Sequence, residues 1–207
     1  MFELILAIVA AYLLGSISFA VLVSKTMGLA DPRAFGSKNP GATNVLRSGN
    51  KTAAAITLAG DALKGAVAVW LAQFFQYEFN FTGGDIALIG ISAFVGHVYP
   101  VFLKFSGGKG VATALGVLLA LNWVLGLACM ATWLVIAYFF RYSSLASLIT
   151  AAFSVFYNVL LFGVNIQALA ITLMAGLLIY RHYPNIARLV KGKEGKIGEK
   201  NRQTHKK

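Results

Sequence analysis

Between Leu4 and Val23 the chain carries no charged side chain. A helix needs about 20 such residues to cross a hydrocarbon core ~30 Å thick, and at least four comparable runs follow. The sequence therefore describes an all-α membrane protein. Composition agrees, since 58% hydrophobic and 12% charged residues, with a mean hydropathy of +0.72, fall outside the range of soluble domains. A cleaved signal peptide would begin on a basic segment and have a shorter apolar core, whereas this run is preceded by Glu3. Cys129, the only cysteine, lies inside an apolar run and reads as a small packing residue, leaving no disulfide framework and no cysteine metal site.

A net charge of +11 would suit nucleic acid, but the distribution of the charge points to a membrane surface instead. Nine of the eighteen Lys and Arg residues lie in Arg181–Lys207 and five in Lys25–Lys51, the juxtamembrane clustering of cytoplasmic loops that meet anionic headgroups. The spans read as about Phe2–Ser24, Thr52–Gln76, Ile86–Val101, Tyr142–Phe162 and Asn165–Tyr180, together with the thirty uncharged residues from Val111 to Phe140. Crossed once, that last run would bring the basic tail to the side of Glu3, Glu78 and Asp85. We therefore divide it near Asn122 and Trp123, which gives seven transmembrane helices, the N-terminus outside and the C-terminus cytoplasmic. Residues 1–194 form one helical domain on this reading, and 195–207 a basic tail that is disordered or lies on headgroups.

Seven spans bring three polar stretches to one face. The first, GSKNPGATNVLR from Gly36 to Arg47, is a flexible, donor-rich loop of the composition that cradles an oxyanion. The second, GHVYPVFLKFSGGKGVAT from Gly96 to Thr113, has Pro100 to close a helix and Lys109 beside three glycines where the next helix starts. It lacks Walker A spacing, with Gly110 where Ser or Thr would stand. The third, YRHYPNIARLVKGKE from Tyr180 to Glu194, spaces His182, Asn185 and Arg188 three apart, and Pro184 predicts a break just before Asn185. Within span two, Asp61 and Lys64 share a face and read either as a structural ion pair or as one wall of a polar pocket. The face is rich in cations and amides. Its acids, Asp31, Asp61, Glu194 and Glu199, include no close pair to hold magnesium, so it suits an anionic, phosphate-bearing substrate, the plain alternative being a solvated positive-inside surface.

These three stretches, with GDALKG in span two and RYSSLAS at Arg141–Ser147, resemble the bacterial integral-membrane acyltransferases that use acyl phosphate to acylate glycerol 3-phosphate. The resemblance covers nearly the whole chain. It implies a multi-pass protein of the bacterial cytoplasmic membrane, acting as a monomer without metal or cofactor, that makes lysophosphatidic acid and inorganic phosphate. It assigns catalysis to Ser37, Arg47, Lys109, His182 and Asn185, and substrate contacts to Gly36, Asn39, Thr43, Asn44, His97, Gly107, Gly108, Gly110, Ser144, Arg188 and Glu194. Ser37 and Arg47 would hold a phosphate or the polarised carbonyl, the Gly107–Gly108–Lys109 loop the glycerol 3-phosphate, and Asn185 with His182 would orient the acceptor. Either His182 or a donor phosphate oxygen takes the proton. His97 reads equally as a helix-end residue, and Glu194 as an anchor for Arg47 or Arg188. The His-x4-Asp signature of other acyltransferases is missing, because Phe102 and Ala187 occupy the fifth positions after His97 and His182. A transporter of a phosphorylated metabolite is the competing class, although no inverted repeat is visible.

Overall fold

The computed structural model describes residues 1–198. Among them are eleven α-helices, one 3-10 helix and no strand: α1 (Phe2–Gly15), α2 (Phe19–Thr26), α3 (Ala42–Leu46), α4 (Lys51–Phe74), α5 (Gln76–Phe79), α6 (Gly83–Val98) with a 3-10 turn at Val101–Leu103, α7 (Val111–Leu121), α8 (Trp123–Phe140), α9 (Ser143–Phe162), α10 (Ile166–Arg181) and α11 (Tyr183–Val190). Four segments are long and apolar enough to cross a membrane, α4, α6 with its 3-10 turn, α8 and α9, and the bent pair α1–α2 makes a fifth. Two shorter apolar helices, α7 and α10, complete the bundle.

The first span departs from expectation. It is broken at Ser16–Ser18, with α2 bent 43° from α1. The cue is Gly15 followed by two serines, a pairing at which helices commonly kink. The break frees the carbonyl of Ile17, which accepts a hydrogen bond from Lys64 Nζ at 2.6 Å. The thirty-residue run divides at Asn122, whose side chain accepts from the N–H groups of Val124 and Leu125 and so starts α8 as α7 ends. A capping box of Thr82 and Asp85 opens α6. The C-terminal break falls at His182 rather than just before Asn185, because Pro184 fits the first turn of α11, where its missing N–H is not needed.

The core is built on α4, α6 and α7, around Phe94, Ile89, Val69 and Val117. Half or more of α4 and of the α6 span is buried, against 22% and 28% of α8 and α9, which present aromatic and aliphatic faces outward. Where lipid surrounds a bundle, close backbone packing replaces hydrophobic exclusion as the source of helix association. The α4–α7 contact shows this: a Cβ on Gly65 would meet the Thr113 carbonyl, and one on Gly116 would meet that of Ala62. Thr113 donates to the Asp61 carbonyl and Gln73 to that of Ala120, so α7 runs parallel to α4 and begins opposite its middle. A smaller cluster of Ala20, Val23, Val45, Ala53 and Ala54 ties α2 and α3 to the start of α4. Gly195–Ile197 continues past α11 and pairs back on Arg141, so the folded unit extends beyond Glu194; residues 199–207 of the expected tail lie outside the described residues.

Lys64 lies 2.9 Å from Asp61, and both side chains are almost fully buried. Lys64→Met would strand the Ile17 carbonyl and the Asp61 carboxylate. Removing one partner of a buried pair costs about 3–5 kcal/mol, so the variant is expected to melt about 6 °C or more below the parent in detergent. An unchanged melting temperature, followed by intrinsic fluorescence, would show that the ammonium is not needed there.

Candidate active site

The loop before α4 is shaped by Asn44. Its amide nitrogen donates to the carbonyls of Pro32 and Phe35, and its oxygen accepts from the Ser37 N–H at 3.0 Å. Asn44 is therefore committed to folding the first stretch, not to a substrate, and Gly36 lies against it in a left-handed conformation. The result leaves Ser37 exposed and sets Arg47, the C-cap of α3, facing the bundle, its guanidinium without a hydrogen bond or ion pair among the described residues.

The second stretch is set from below. Asp61 Oδ1, besides meeting Lys64, lies 3.4 Å from Nδ1 of the buried His97. His97 in turn abuts Gly108: a Cβ there would collide with Nε2, and the Gly108 N–H donates to the His97 carbonyl. Only glycine fits this approach. Asp61 is thus both the partner of Lys64 in an ion pair and, with His97, part of the pocket wall, which Lys64 does not reach.

The third stretch supplies the partners of Lys109. Lys109 Nζ donates to Asn185 Oδ1 at 2.6 Å, and Asn185 Nδ2 donates to Glu194 Oε1 at 2.6 Å. An ammonium only donates and a carboxylate only accepts, so the amide orientation is fixed from both ends. Glu194 also accepts from Ser144 and from Arg188, each at 2.7 Å. It anchors Arg188, as one expectation had it, and not Arg47. Burial pushes the Glu194 carboxyl up, but hydrogen bonds from Asn185, Ser144 and Arg188 outweigh this and hold it below its ordinary value. Burial and the surrounding arginines bring Lys109 down to about 8. His182, 2% exposed, is lowered to about 4 by burial and by the Lys109 charge. Its Nδ1 sits 2.8 Å from the Leu178 carbonyl, which can only accept, so the proton is on Nδ1 and Nε2 offers a lone pair.

These groups meet at one end of a cavity of about 480 Å³. Ser37, Asn39, Thr43, Asn44, Arg47, His97, Lys109, Gly110, Ser144, His182, Asn185 and Glu194 all line it. Gly36, Gly107, Gly108 and Arg188 do not line it and act through their neighbours. From the polar end the cavity passes between Leu58, Leu115, Leu118, Met130, Trp133, Leu134, Ile171 and Met174, reaching Cys129. Sequence reasoning missed one wall, Ser147, Thr150, Ala151 and Ser154 on α9. Their three- and four-residue spacing inside an apolar run was the available signal.

Over residues 5–192 the sequence matches the family described as glycerol-3-phosphate acyltransferase. The chain belongs to that family. A glycerol-3-phosphate acyltransferase of Ralstonia nicotianae is 64% identical, with 95% of each chain covered. That of Herminiimonas arsenicoxydans is 60% identical over 95% of this chain and 96% of its own. The crystal structure of PlsY, an integral membrane glycerol 3-phosphate acyltransferase, in its glycerol 3-phosphate form is similar at a TM-score of 0.88 and 36% identity, covering 95% of this chain and 96% of that one. Its lysophosphatidic acid form gives 0.86 and 35% over the same shares.

In this glycerol-3-phosphate acyltransferase family member, Lys109 is charged below about pH 8 and loses its charge above it. Binding of a phosphate monoester should therefore weaken as pH rises through about 8. The bound anion favours the ammonium, so in the complex the same loss comes at higher pH. His182, neutral above about 4, should add no step between pH 5 and 8. Isothermal titration across pH 5–10 with parent and His182→Gln checks both, the ligand's own ionisation near pH 6 appearing in each; a step near the usual histidine value that the variant lacks would overturn the second.

Proposed function

We propose that the protein transfers an acyl group from acyl phosphate to the sn-1 hydroxyl of glycerol 3-phosphate, giving 1-acyl-glycerol 3-phosphate and inorganic phosphate. One observation carries the reading: a single cavity joins a cationic, donor-rich end to an apolar body, the shape of a molecule that is phosphate at one end and hydrocarbon at the other. The site faces the cytoplasm in a seven-span arrangement with the N-terminus outside. Five span-length units plus α7 and α10, and the clustering of cations at the ends nearest the three stretches, support that count.

An acyl phosphate is a mixed anhydride and needs no further activation, so the task is to orient two anions and stabilise the developing oxyanion. Arg47 and Ser37 hold the donor phosphate and carbonyl oxygen. Lys109, kept in place by Asn185, holds the acceptor phosphate. The acceptor hydroxyl oxygen attacks the carbonyl carbon, the new ester C–O bond forms, and the bond from carbon to the phosphate oxygen breaks. With its conjugate acid at about 4, His182 is a weaker base than a phosphate dianion, whose second pKa is about 6. The proton therefore passes to the departing phosphate, and His182 Nε2 orients the acceptor by accepting a hydrogen bond from its other, non-reacting hydroxyl. Cations stand where a metal-dependent site would need carboxylates, so the transfer runs without added metal.

The purified protein, given glycerol 3-phosphate and palmitoyl phosphate without metal, should release inorganic phosphate and lysophosphatidic acid. Turnover only with palmitoyl-CoA would overturn the donor, and no product from either would overturn the enzyme reading. Ser37→Ala and Arg47→Ala should each lower kcat at least about a hundredfold, the effect of losing one oxyanion donor, with melting temperature unchanged. Ala151→Phe, which fills the apolar body, should shift preference toward shorter acyl chains; equal rates with C12 and C16 donors in parent and variant would count against the assignment of that cavity.

A further inference from the structure

A second pocket, of about 390 Å³, adjoins the reaction cavity on the other side of Lys109. The two meet at Ser37, Asn39 and Lys109, which line both. Its remaining lining is distinct: Lys38, Ser106, Gly107, Arg181 and the residues flanking the α10–α11 break. Three cations and five side chains with hydroxyl or amide groups line it, and its lining includes no Asp or Glu. Arg181 is held over the Tyr99 ring at 5.5 Å and donates from one Nη to the Gly107 carbonyl at 3.2 Å, while its Nε is buried without a partner among the described residues. Lys38 adopts a left-handed conformation, φ 56°, and has no ion pair among the described residues. A buried guanidinium nitrogen with no protein acceptor, beside two further cations, is a group that an anion would satisfy. The volume suits a small phosphate-bearing molecule.

We infer that this pocket is a second phosphate site, in which Lys38, Arg181 and Lys109 bind a phosphate dianion at the entrance to the reaction cavity. Its use in turnover rests on the reading of the neighbouring cavity as an acyltransferase site; its ligand chemistry does not. Lys109 stands between two phosphate positions and hands the anion from one to the other without losing a partner. The phosphate is either that of glycerol 3-phosphate arriving or the inorganic phosphate leaving.

Lys38→Asn removes the cation at an exposed position and keeps a residue at ease in the left-handed region; Arg181→Lys keeps the charge but loses the fork, and Arg181→Gln loses both. Initial rates would be measured at varied glycerol 3-phosphate and inorganic phosphate. Lys38→Asn and Arg181→Gln should each raise the inhibition constant of inorganic phosphate about fivefold, the scale of one charge-assisted contact at a half-exposed site, with kcat within about twofold of the parent. A parallel rise in KM for glycerol 3-phosphate identifies an entry site, and an unchanged KM an exit site. Unchanged inhibition and unchanged KM in Lys38→Asn would overturn the proposal, as would loss of kcat in both substitutions with inhibition unmoved. If the parent shows no turnover, the acyltransferase reading fails by itself. Titration of parent and Lys38→Asn with inorganic phosphate then decides the site, weaker binding in the variant upholding it and equal binding refuting it.

Discussion

An ammonium halfway along a membrane-crossing helix has to find acceptors, because nothing in hydrocarbon will solvate it. Lys64 finds two. One is a carbonyl that exists in unpaired form only because the first span breaks, and the other is Asp61. The break and the lysine therefore require each other. From Asp61 the constraint passes to His97, from His97 to Gly108, and so to the loop that carries Lys109. The position of Lys109 therefore depends on a bend in the first span, which packs directly against the second stretch at Gly96 and Val101.

What could be read from the sequence follows from how local each cause is. An asparagine in the middle of an apolar run is a helix cap wherever it occurs, so the division at Asn122 was legible. The three polar stretches were legible because no lipid-facing helix tolerates them, and charge placed them together. The bend at Ser16–Ser18 carried no proline and no charge; Gly15 and the two serines permit it, but the Lys64 contact that holds it lies 47 residues away. Asn44 looked like a ligand because an amide in a glycine-rich loop has several uses, and only the fold shows that all its hydrogen bonds return to its own loop. The α9 wall and the pocket around Lys38 and Arg181 were hidden for a further reason. They exist only where separate helices enclose a space, and the break at His182 that shapes the second pocket fell three residues from where Pro184 suggested.

The polar end manages its charge with an amide between the extremes. Asn185 accepts from Lys109 through Oδ1 and donates one N–H to Glu194, so cation and carboxylate are linked through the amide. A direct salt bridge would neutralise the ammonium, whereas the relay fixes its place and leaves most of its field for a ligand. Glu194 is held from three sides, which stops it from swinging toward Lys109.

The register of α7 against α4 has a consequence for side reactions. Thr113, near the start of α7, pairs opposite Asp61, ten residues into a helix that begins at Lys51. At 1.5 Å per residue the floor of the site is recessed about 15 Å below the start of α4. On the proposed reading the donor is a mixed anhydride, as vulnerable to water as to an alcohol, and a short helix sunk among longer ones narrows the approach to it. On that reading a doubly charged acceptor gains more from the cations at the bottom of the recess than a neutral water does, which favours transfer over hydrolysis.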